Sequence, residues 1–304
     1  MKFINKIVDL LHTNKLLLVS LVLQKYGCFI PDSLYLRWIF YCRMGYKLNL
    51  KNPRSFSEKL QWLKINNRKE IYTSIVDKFE VKQYIADRIG DSFVIPTLGV
   101  WDTCEEIDWK KLPLQFVLKT THGGGGSGVI VCKDKNSLDQ EETVCQLSKA
   151  LKHNIYTEFR EWPYKNIKPR IIAEKYMTQE DGSSLIDYKF FCFNGQPKFL
   201  YVRNSGPHPS INYMTMDWKP VPFKRSDCLP SDILPIKPLT FEEMEVIASK
   251  LSQDFPFVRV DLYEICGHVY FSELTFYPSS GLLPFEPQEW DFKIGKLLSL
   301  TNNN

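Results

Sequence analysis

The order of apolar and polar positions predicts two β-hairpins in the second half of the chain. Two runs rich in aromatic and β-branched residues, Ile186–Phe193 and Lys198–Val202, flank the four-residue loop 194–197, which begins with Asn-Gly, a strong hairpin signal. A second hairpin lies within Phe257–Phe276 and turns at Gly267. Its apolar residues alternate with charged ones, which predicts one buried face and one face that carries charge.

Helical spacing occurs in three other places. Residues 1 to about 66 are dense in apolar side chains and predict a helical segment. Two further helices are predicted by apolar residues that recur on one face. The first ends at Gly90 and has Ile75, Phe79, Tyr84, Ile85 and Ile89; the second has Met244, Ile247, Ala248 and Leu251. Because strands and helices mix without strict βαβ alternation, the expected fold class is α+β.

The stretch Phe116–Lys133 combines a strand, a loop with five glycines and a second strand. Glycines let backbone N–H groups approach a ligand closely, because no Cβ atoms intervene. Consecutive N–H groups of this kind form a concave site for anions. Lys119, just before the loop, would add a positive charge to the same anion. The pattern therefore predicts a flap that covers the phosphates of a nucleotide.

Three other glycine motifs fit this stretch less well. Gly123, Gly125 and Gly128 match G-x-G-x-x-G, but a dinucleotide site needs a helix after the glycines, and the residues that follow predict a strand. A P-loop needs Gly-Lys-Ser/Thr at its end, which is absent. The lysine of a protein kinase lies on a later strand, whereas Lys119 comes first. A flexible hairpin tip is the non-functional alternative.

The hairpin Phe257–Phe276 holds a second cluster of polar residues. If its turn has the three residues 266–268, Asp261 lies opposite Glu273 and Arg259 lies opposite Thr275. Their Cβ atoms would then be roughly 5 Å apart. Two carboxylates this close repel each other, and a divalent cation such as Mg²⁺ would relieve the repulsion. A two-residue turn would shift this pairing, and a solvated outer face is the alternative interpretation.

Composition restricts the functional class. The chain has 304 residues and a net charge of +4, which suits an anionic substrate and does not indicate a nucleic-acid partner. Its eight cysteines include no C-x-x-C pair, which predicts a reduced, cytosolic protein without a zinc site. The apolar run Leu16–Leu23 is too short to span a bilayer but leaves open a peripheral membrane contact.

These motifs occur in the order found in the ATP-grasp superfamily, and the chain resembles its TupA-like branch from about residue 56 to the end. The residues that carry the resemblance are Phe116-Val117-Leu118-Lys119 with His122 and the glycines, Glu174-Lys175-Tyr176-Met177, Arg259-Val260-Asp261 and Glu273-Leu274-Thr275-Phe276. The resemblance implies an ATP-grasp fold, in which two α+β subdomains grip ATP. We expect an N-terminal helical extension at 1–66, a flap subdomain at 67–173 and a metal-binding subdomain at 174–304.

The resemblance also implies roles for the nucleotide-binding residues. Lys119 would bind the α- and β-phosphates, and the flap residues Gly124, Gly125, Gly126 and Ser127 would cover the triphosphate. Adenine would lie at a hinge from Glu174 to Met177, where the Lys175 C=O and the Met177 N–H pair with the base. Glu180 or Asp181 would lie near the ribose. His122 would either position phosphate or be a simple loop residue.

The remaining site residues are assigned in the same way. Asp261 and Glu273 resemble Mg²⁺ ligands, and Thr275 stands where many ATP-grasp enzymes have asparagine. A hydroxyl is a poorer metal ligand than an amide oxygen, so the resemblance gives weaker support to a second metal ion in this chain. Lys189 and Arg259 would stabilise the transferring phosphoryl group.

The reaction implied by the resemblance is an ATP-dependent ligation of a carboxylate to an amine through an acyl phosphate. TupA-like proteins are associated with cell-surface polymers that contain uronic acids. The expected substrates are therefore a hexuronic acid of a glycan or its precursor and an amino acid or amino alcohol. The expected location is the cytoplasm, with contact to membrane-bound polysaccharide machinery left open. Alternatives are a phosphotransferase that acts on a sugar hydroxyl and a non-catalytic nucleotide-binding protein.

Overall fold

The computed structural model describes residues 15–124, 126, 128–204, 209–226 and 230–300, which form two large antiparallel sheets, a two-stranded pair and nine α-helices joined by turns and short 3₁₀ segments. The helices are α1 (15–26), α2 (Asp32–Met44), α3 (Phe56–Asn66), α4 (Ile71–Val76), α5 (Val81–Ile89), α6 (Gln140–Leu151), α7 (Ile155–Phe159), α8 (Phe241–Ser252) and α9 (Glu289–Gly295). The α+β prediction is confirmed.

Eleven strands are described. They are β1 (Thr97–Trp101), β2 (Phe116–Thr120), β3 (Val129–Cys132), β4 (Ile171–Lys175), β5 (Ile186–Phe193), β6 (Gln196–Asn204), β7 (Ser210–Thr215), β8 (Lys224–Arg225), β9 (Phe257–Ile265), β10 (His268–Thr275) and β11 (Phe285–Glu286). One sheet has the order β1-β4-β2-β3 and the other has the order β10-β9-β5-β6-β7, while β8 and β11 form a separate pair.

The four-stranded sheet contains the predicted glycine flap. Strands β2 and β3 are antiparallel, with Phe116 opposite Cys132 and Lys119 opposite Val129, so the strand–loop–strand prediction is confirmed. Phe116 and Leu118 point into a core that also includes Leu147 of α6. This packing fixes the base of the flap while the glycine loop extends beyond it.

The five-stranded sheet forms around the predicted Asn-Gly hairpin. Asn194 and Gly195 both have positive φ, 49° and 79°, which matches the twist of a two-residue hairpin turn. The expected four-residue loop is wrong, because β6 already begins at Gln196 and Pro197 is paired with Cys192. Helix α8 covers one face of this sheet, with its four predicted core residues buried: Met244, Ile247, Ala248 and Leu251.

The hairpin of β9 and β10 reaches the predicted pairing by a different route. Its turn has two residues, Cys266 and Gly267, so the three-residue turn is wrong. A register shift between Phe271 and Glu273 compensates for the shorter turn. Asp261 therefore lies opposite Glu273, as predicted. A β-bulge thus sets which carboxylates share a face.

The helix predicted to end at Gly90 is divided into α4 and α5, so the single-helix prediction is wrong. The Asp77 carboxylate accepts hydrogen bonds from the backbone N–H groups of Phe79 (2.8 Å) and Glu80 (3.0 Å), which stabilises a turn between the helices. The Lys78 N–H donates to the Thr121 carbonyl at 2.9 Å. The break therefore brings Lys78 beside the glycine flap.

Helix α3 joins the N-terminal segment to the main core. Ser55 and Glu58 form a capping box at its start, and the Phe56 ring packs against Phe257 with centroids 4.9 Å apart. Leu60 and Leu63 are buried in the same cluster. The predicted boundary at 66 follows α3, and the boundary at 173/174 falls inside β4. The division into domains stays a prediction.

Candidate active site

A cleft with a cavity of about 220 Å³ lies between the flap and the five-stranded sheet. Its wall includes six of the predicted site residues, namely Lys119, Gly124, Gly126, Glu174, Lys189 and Glu273. Residues from two distant parts of the sequence therefore line one cavity. The same wall holds six charged or polar side chains that were not among the predicted site residues: Lys78, Lys82, Asp187, Arg203, Tyr263 and Ser272.

On the flap side, Glu174 is held between two lysines. Its carboxylate contacts Lys119 Nζ at 2.6 Å and Lys82 Nζ at 2.5 Å. Burial alone would raise the pKa of Glu174, but the two lysines outweigh burial and hold that pKa below its ordinary value. The two cations thus converge on one anion in the cleft, and phosphate oxygens would offer them the same type of partner.

The flap itself is tied to the α4–α5 turn by Lys78, whose Nζ donates to the Gly123 carbonyl. Burial lowers the pKa of Lys78, and the Glu273 carboxylate acts in the opposite direction.

At the base of the flap, Gly128 has a φ of +70°, and a Cβ there would lie 2.7 Å from the Ala150 Cβ. The glycine is therefore needed for both its conformation and its close packing.

On the sheet side, the Arg259 guanidinium organises the polar residues. Its Nε and Nη2 donate to the two oxygens of Asp261 at 2.7 and 2.6 Å. Nη2 also lies 2.8 Å from Glu273 Oε1 and 3.0 Å from Thr275 Oγ1, and Nη1 donates to the Tyr201 hydroxyl at 3.3 Å. This planar fork holds both predicted metal-binding carboxylates in fixed positions.

Lys189 adds a second cation to this network. Its Nζ donates to Asp261 Oδ2 and lies 3.5 Å from Asp187 Oδ1. Burial alone would lower the pKa of Lys189, but Asp261 outweighs burial and raises that pKa. Asp261 is fully buried and contacts both Lys189 and Arg259. The two cations therefore share its carboxylate.

Glu273 is the carboxylate that faces the cleft, with 41% of its side chain exposed. Burial would raise the pKa of Glu273, but Lys189, Arg259 and Lys78 outweigh it and hold that pKa well below its ordinary value. Its Oε1 also accepts a hydrogen bond from the Thr275 hydroxyl at 3.1 Å. An ionised oxygen donor is therefore available to a cation in the cleft.

The donor chemistry fits Mg²⁺ at Glu273, because this ion prefers hard oxygen ligands. Asp261 supplies the same donor type, although both of its oxygens contact Arg259 or Lys189. The Thr275 hydroxyl contacts Arg259 and Glu273. Within the described ranges, no group of three or more histidine, cysteine, aspartate or glutamate side chains is arranged to hold a metal ion.

Four predicted nucleotide-binding residues lie outside the wall of this cavity. His122 is buried, with Nε2 3.0 Å from the His153 carbonyl oxygen. The Lys175 side chain is exposed, and the backbone N–H of this residue donates to the Pro96 carbonyl at 3.0 Å. Met177 is half-buried after β4, and Asp181 lies in an exposed turn where it accepts from the Ser183 N–H. Gly125 and Ser127 lie outside the described residues.

Some of the residues missed by sequence reasoning carry a recognisable signal. Lys78 and Lys82 are four residues apart, which is close to one helical turn. Asp187 and Lys189 alternate on β5, as residues on one face of a strand do. Arg203, on β6, lies opposite Asp187, and its side chain has no ion pair or hydrogen bond with any residue that the structure describes. Tyr263 alternates with Arg259 and Asp261 on β9 and so shares their face of that strand.

A family model described as TupA-like ATPgrasp matches residues 58–299. The chain belongs to the TupA-like ATP-grasp family. Its two antiparallel sheets with the cleft between them constitute the ATP-grasp fold that the motifs predicted. The assignment of individual site residues stays a prediction.

Solved structures similar to this chain include a ligase and a synthetase. D-alanine–D-alanine ligase from Helicobacter pylori is 16% identical with a TM-score of 0.42, and the match covers 75% of this chain and 61% of that one. The D-cycloserine synthetase DcsG is 15% identical with a TM-score of 0.42, covering 74% and 71%. The chain thus spans less than two thirds of the Helicobacter ligase. A comparison with curated protein sequences gave no match.

Proposed function

We propose that this protein is an ATP-dependent carboxylate–amine ligase. It forms an amide between a hexuronic acid carboxylate of a cell-surface polysaccharide or its precursor and an amino acid or amino alcohol. The observation that carries the proposal is the opposition, across one cleft, of the Lys82–Lys119 pair and of Lys189 with Glu273, which the buried Arg259 and Asp261 contact from behind. Membership of the TupA-like ATP-grasp family supports ATP as the co-substrate.

In this proposal, the flap side binds the triphosphate. Lys119 and Lys82 exchange the Glu174 carboxylate for phosphate oxygens, and the glycine loop supplies backbone N–H donors. Glu273 would hold Mg²⁺, which supplies charge neutralisation of the phosphates when bound, and Asp261 would join it only by exchanging its contacts with Arg259 and Lys189. Closure of the flap would exclude water from the reacting groups.

The sheet side then stabilises the chemistry. A uronate oxygen attacks the γ-phosphorus and the bond to the ADP oxygen breaks, leaving an acyl phosphate. The amine attacks the acyl carbon, phosphate leaves, and the amine gives up a proton. Lys189, on the cleft wall, and Arg259, which contacts the cleft-facing Glu273, would stabilise negative charge on the transferring group, so the protein would need no nucleophile of its own.

The substrate assignment has one structural support beyond the family resemblance. Arg203 is an exposed guanidinium on the cleft wall, without a partner among the described residues. A guanidinium binds a carboxylate through two parallel hydrogen bonds, so Arg203 suits the uronate or the carboxylate of an amino acid. We further propose that the enzyme acts in the cytoplasm at the inner face of the membrane, with no nucleic-acid partner.

The decisive experiment measures ADP release with a uronic acid and an amine, each supplied alone and together, and identifies the product by mass spectrometry. Release that requires both substrates, with an amide product, supports the ligase. Release with a sugar hydroxyl and no amine would instead indicate a phosphotransferase. If Asp261→Ala with Glu273→Ala leaves polymer modification in cells unchanged, the protein is not catalytic.

A further inference from the structure

Helix α1 carries apolar side chains on its outer surface. Leu18, Leu21 and Val22 are 63%, 56% and 51% exposed, and Tyr26 is 65% exposed. At 100° per residue they occupy one broad arc, together with Leu17 and Val19. The inward side of the same helix holds Ser20, which is fully buried. This distribution is the reverse of that of a solvated surface helix.

The apolar surface continues along the chain. Phe29, after α1, is 95% exposed, and helix α2 exposes Leu34, Trp38 and Tyr41 at spacings of four and three residues. The opposite side of α2 is buried in a core that also contains Leu23 of α1, so the two helices form one body. We call the exposed side chains at 17–19, 21, 22, 26, 29, 34, 38 and 41 the N-terminal apolar surface.

Positive charge accompanies this surface. Residues 1–51 contain eight lysines and arginines, two aspartates and no glutamate. Lys15 and Lys25 are exposed at the two ends of α1. Asp32 is paired with Arg68 at 2.6 Å and with Arg160 at 3.1 Å, so its charge is compensated locally. The combination of an apolar arc and basic residues is typical of a helix that lies in the interface of an anionic membrane.

The geometry favours a helix parallel to the membrane. Lys15 and Lys25 are ten residues apart, a helical distance of about 15 Å, which is half the thickness of a bilayer core. Among the helices described, none combines the length and the apolar character needed to cross a membrane. The two lysines can extend their ammonium groups towards lipid phosphates while their stems lie along the apolar arc.

We propose that the N-terminal apolar surface docks this protein onto an anionic lipid bilayer. The occupant is a membrane rather than a second copy of the chain, because basic residues accompany the apolar ones and a self-contact would bring like charges together. The inference rests on α1 and α2 and stands independently of the proposed ligase activity. Docking would hold the cleft near glycans that are attached to the membrane.

The test is flotation of the full chain with vesicles of phosphatidylcholine alone or mixed with phosphatidylglycerol. We expect binding to the mixed vesicles and a loss of at least tenfold in Leu18→Glu/Leu21→Glu/Val22→Glu. Ile233→Glu/Ile236→Glu is the matched control, because both isoleucines are more than 80% exposed elsewhere, and it should bind like the wild type. Lys15→Gln/Lys25→Gln should lose about fivefold per lysine on the anionic vesicles.

Three results would overturn the inference. They are no binding of the wild type to mixed vesicles, unchanged binding of the triple variant, and a wild-type dimer in sedimentation that the triple variant converts to a monomer. Circular dichroism and ATP binding verify that each variant is folded. Because flotation needs neither substrate, a chain that binds vesicles but forms no amide would contradict only the proposed function.

Discussion

The two sides of the cleft pair lysine or arginine with carboxylates in different ways. On the flap side, Glu174 is also buried, but it meets Lys119 and Lys82, whose side chains are 25% and 13% exposed. On the sheet side, Asp261 is completely buried between Arg259 and Lys189. Partly exposed cations can exchange their partner at low cost, whereas buried ones depend on it. The flap side is therefore suited to binding, and the sheet side to a fixed electrostatic environment.

The largest expected effect comes from breaking the buried network. Asp261→Ala removes the carboxylate that two buried cations share and should destabilise the fold by about 3–5 kcal/mol. Glu174→Ala, the matched variant on the flap side, should cost less, about 1–3 kcal/mol, since Lys119 and Lys82 are partly exposed and can turn towards water. Urea denaturation measures the loss in the free energy of unfolding for both variants. Equal losses would show that the two sides of the cleft depend on their carboxylates to the same extent.

The next effect concerns catalysis. Arg259→Lys keeps a positive charge but removes the planar fork that contacts Asp261, Glu273 and Thr275. We expect kcat to fall by about 100- to 1,000-fold, the cost of losing a preorganised electrostatic donor. Steady-state kinetics with a saturating amine and uronate measure it. A change confined to the KM of ATP would assign Arg259 to nucleotide binding instead.

The sequence motifs identified many residues of this site, but they did not indicate which turn and strand register bring those residues together. The Asp261–Glu273 pairing was predicted through a three-residue turn, and the structure obtains it through a two-residue turn and a bulge. A bulge depends on how the two strands pack against each other, so the sequence of neither strand alone indicates it. The pairing prediction was correct although its stated condition failed.

Lys78 and Lys82 show a second limit. The apolar spacing predicted one continuous helix. That helix gave no indication that Lys78 contacts the flap or that Lys82 contacts Glu174. The Asp77 turn and the bond from Lys78 to Thr121 reorient this segment through tertiary contacts. By contrast, the strand–loop–strand arrangement of the flap could be predicted from the sequence, because five glycines between two β-branched runs have few structural alternatives. Local signals thus identified the flap, and long-range contacts completed the site.

On the flap side, a smaller effect is expected in binding. Lys119→Gln removes one of the two cations that converge on Glu174 and should raise the KM of ATP about tenfold, which corresponds to about 1.4 kcal/mol. Lys110→Gln, on an exposed segment outside the cleft, is the control and should leave KM unchanged. A fall in kcat with an unchanged KM would contradict the division between the two sides.

The smallest effect concerns pH. Lys119 and Lys82 hold the pKa of Glu174 below its ordinary value of 4.5 despite its burial. The ionised carboxylate therefore stabilises the fold fully above pH 4.5, and this contribution disappears as the pH falls through the lower folded pKa. Glu174→Gln lacks it, so the difference in unfolding free energy between wild type and variant should be largest near neutral pH and shrink in acid. Urea unfolding from pH 7 to pH 3 measures this difference. A difference that grows in acid would mean that Glu174 is neutral in the folded protein and that the flap lysines are not held by its charge.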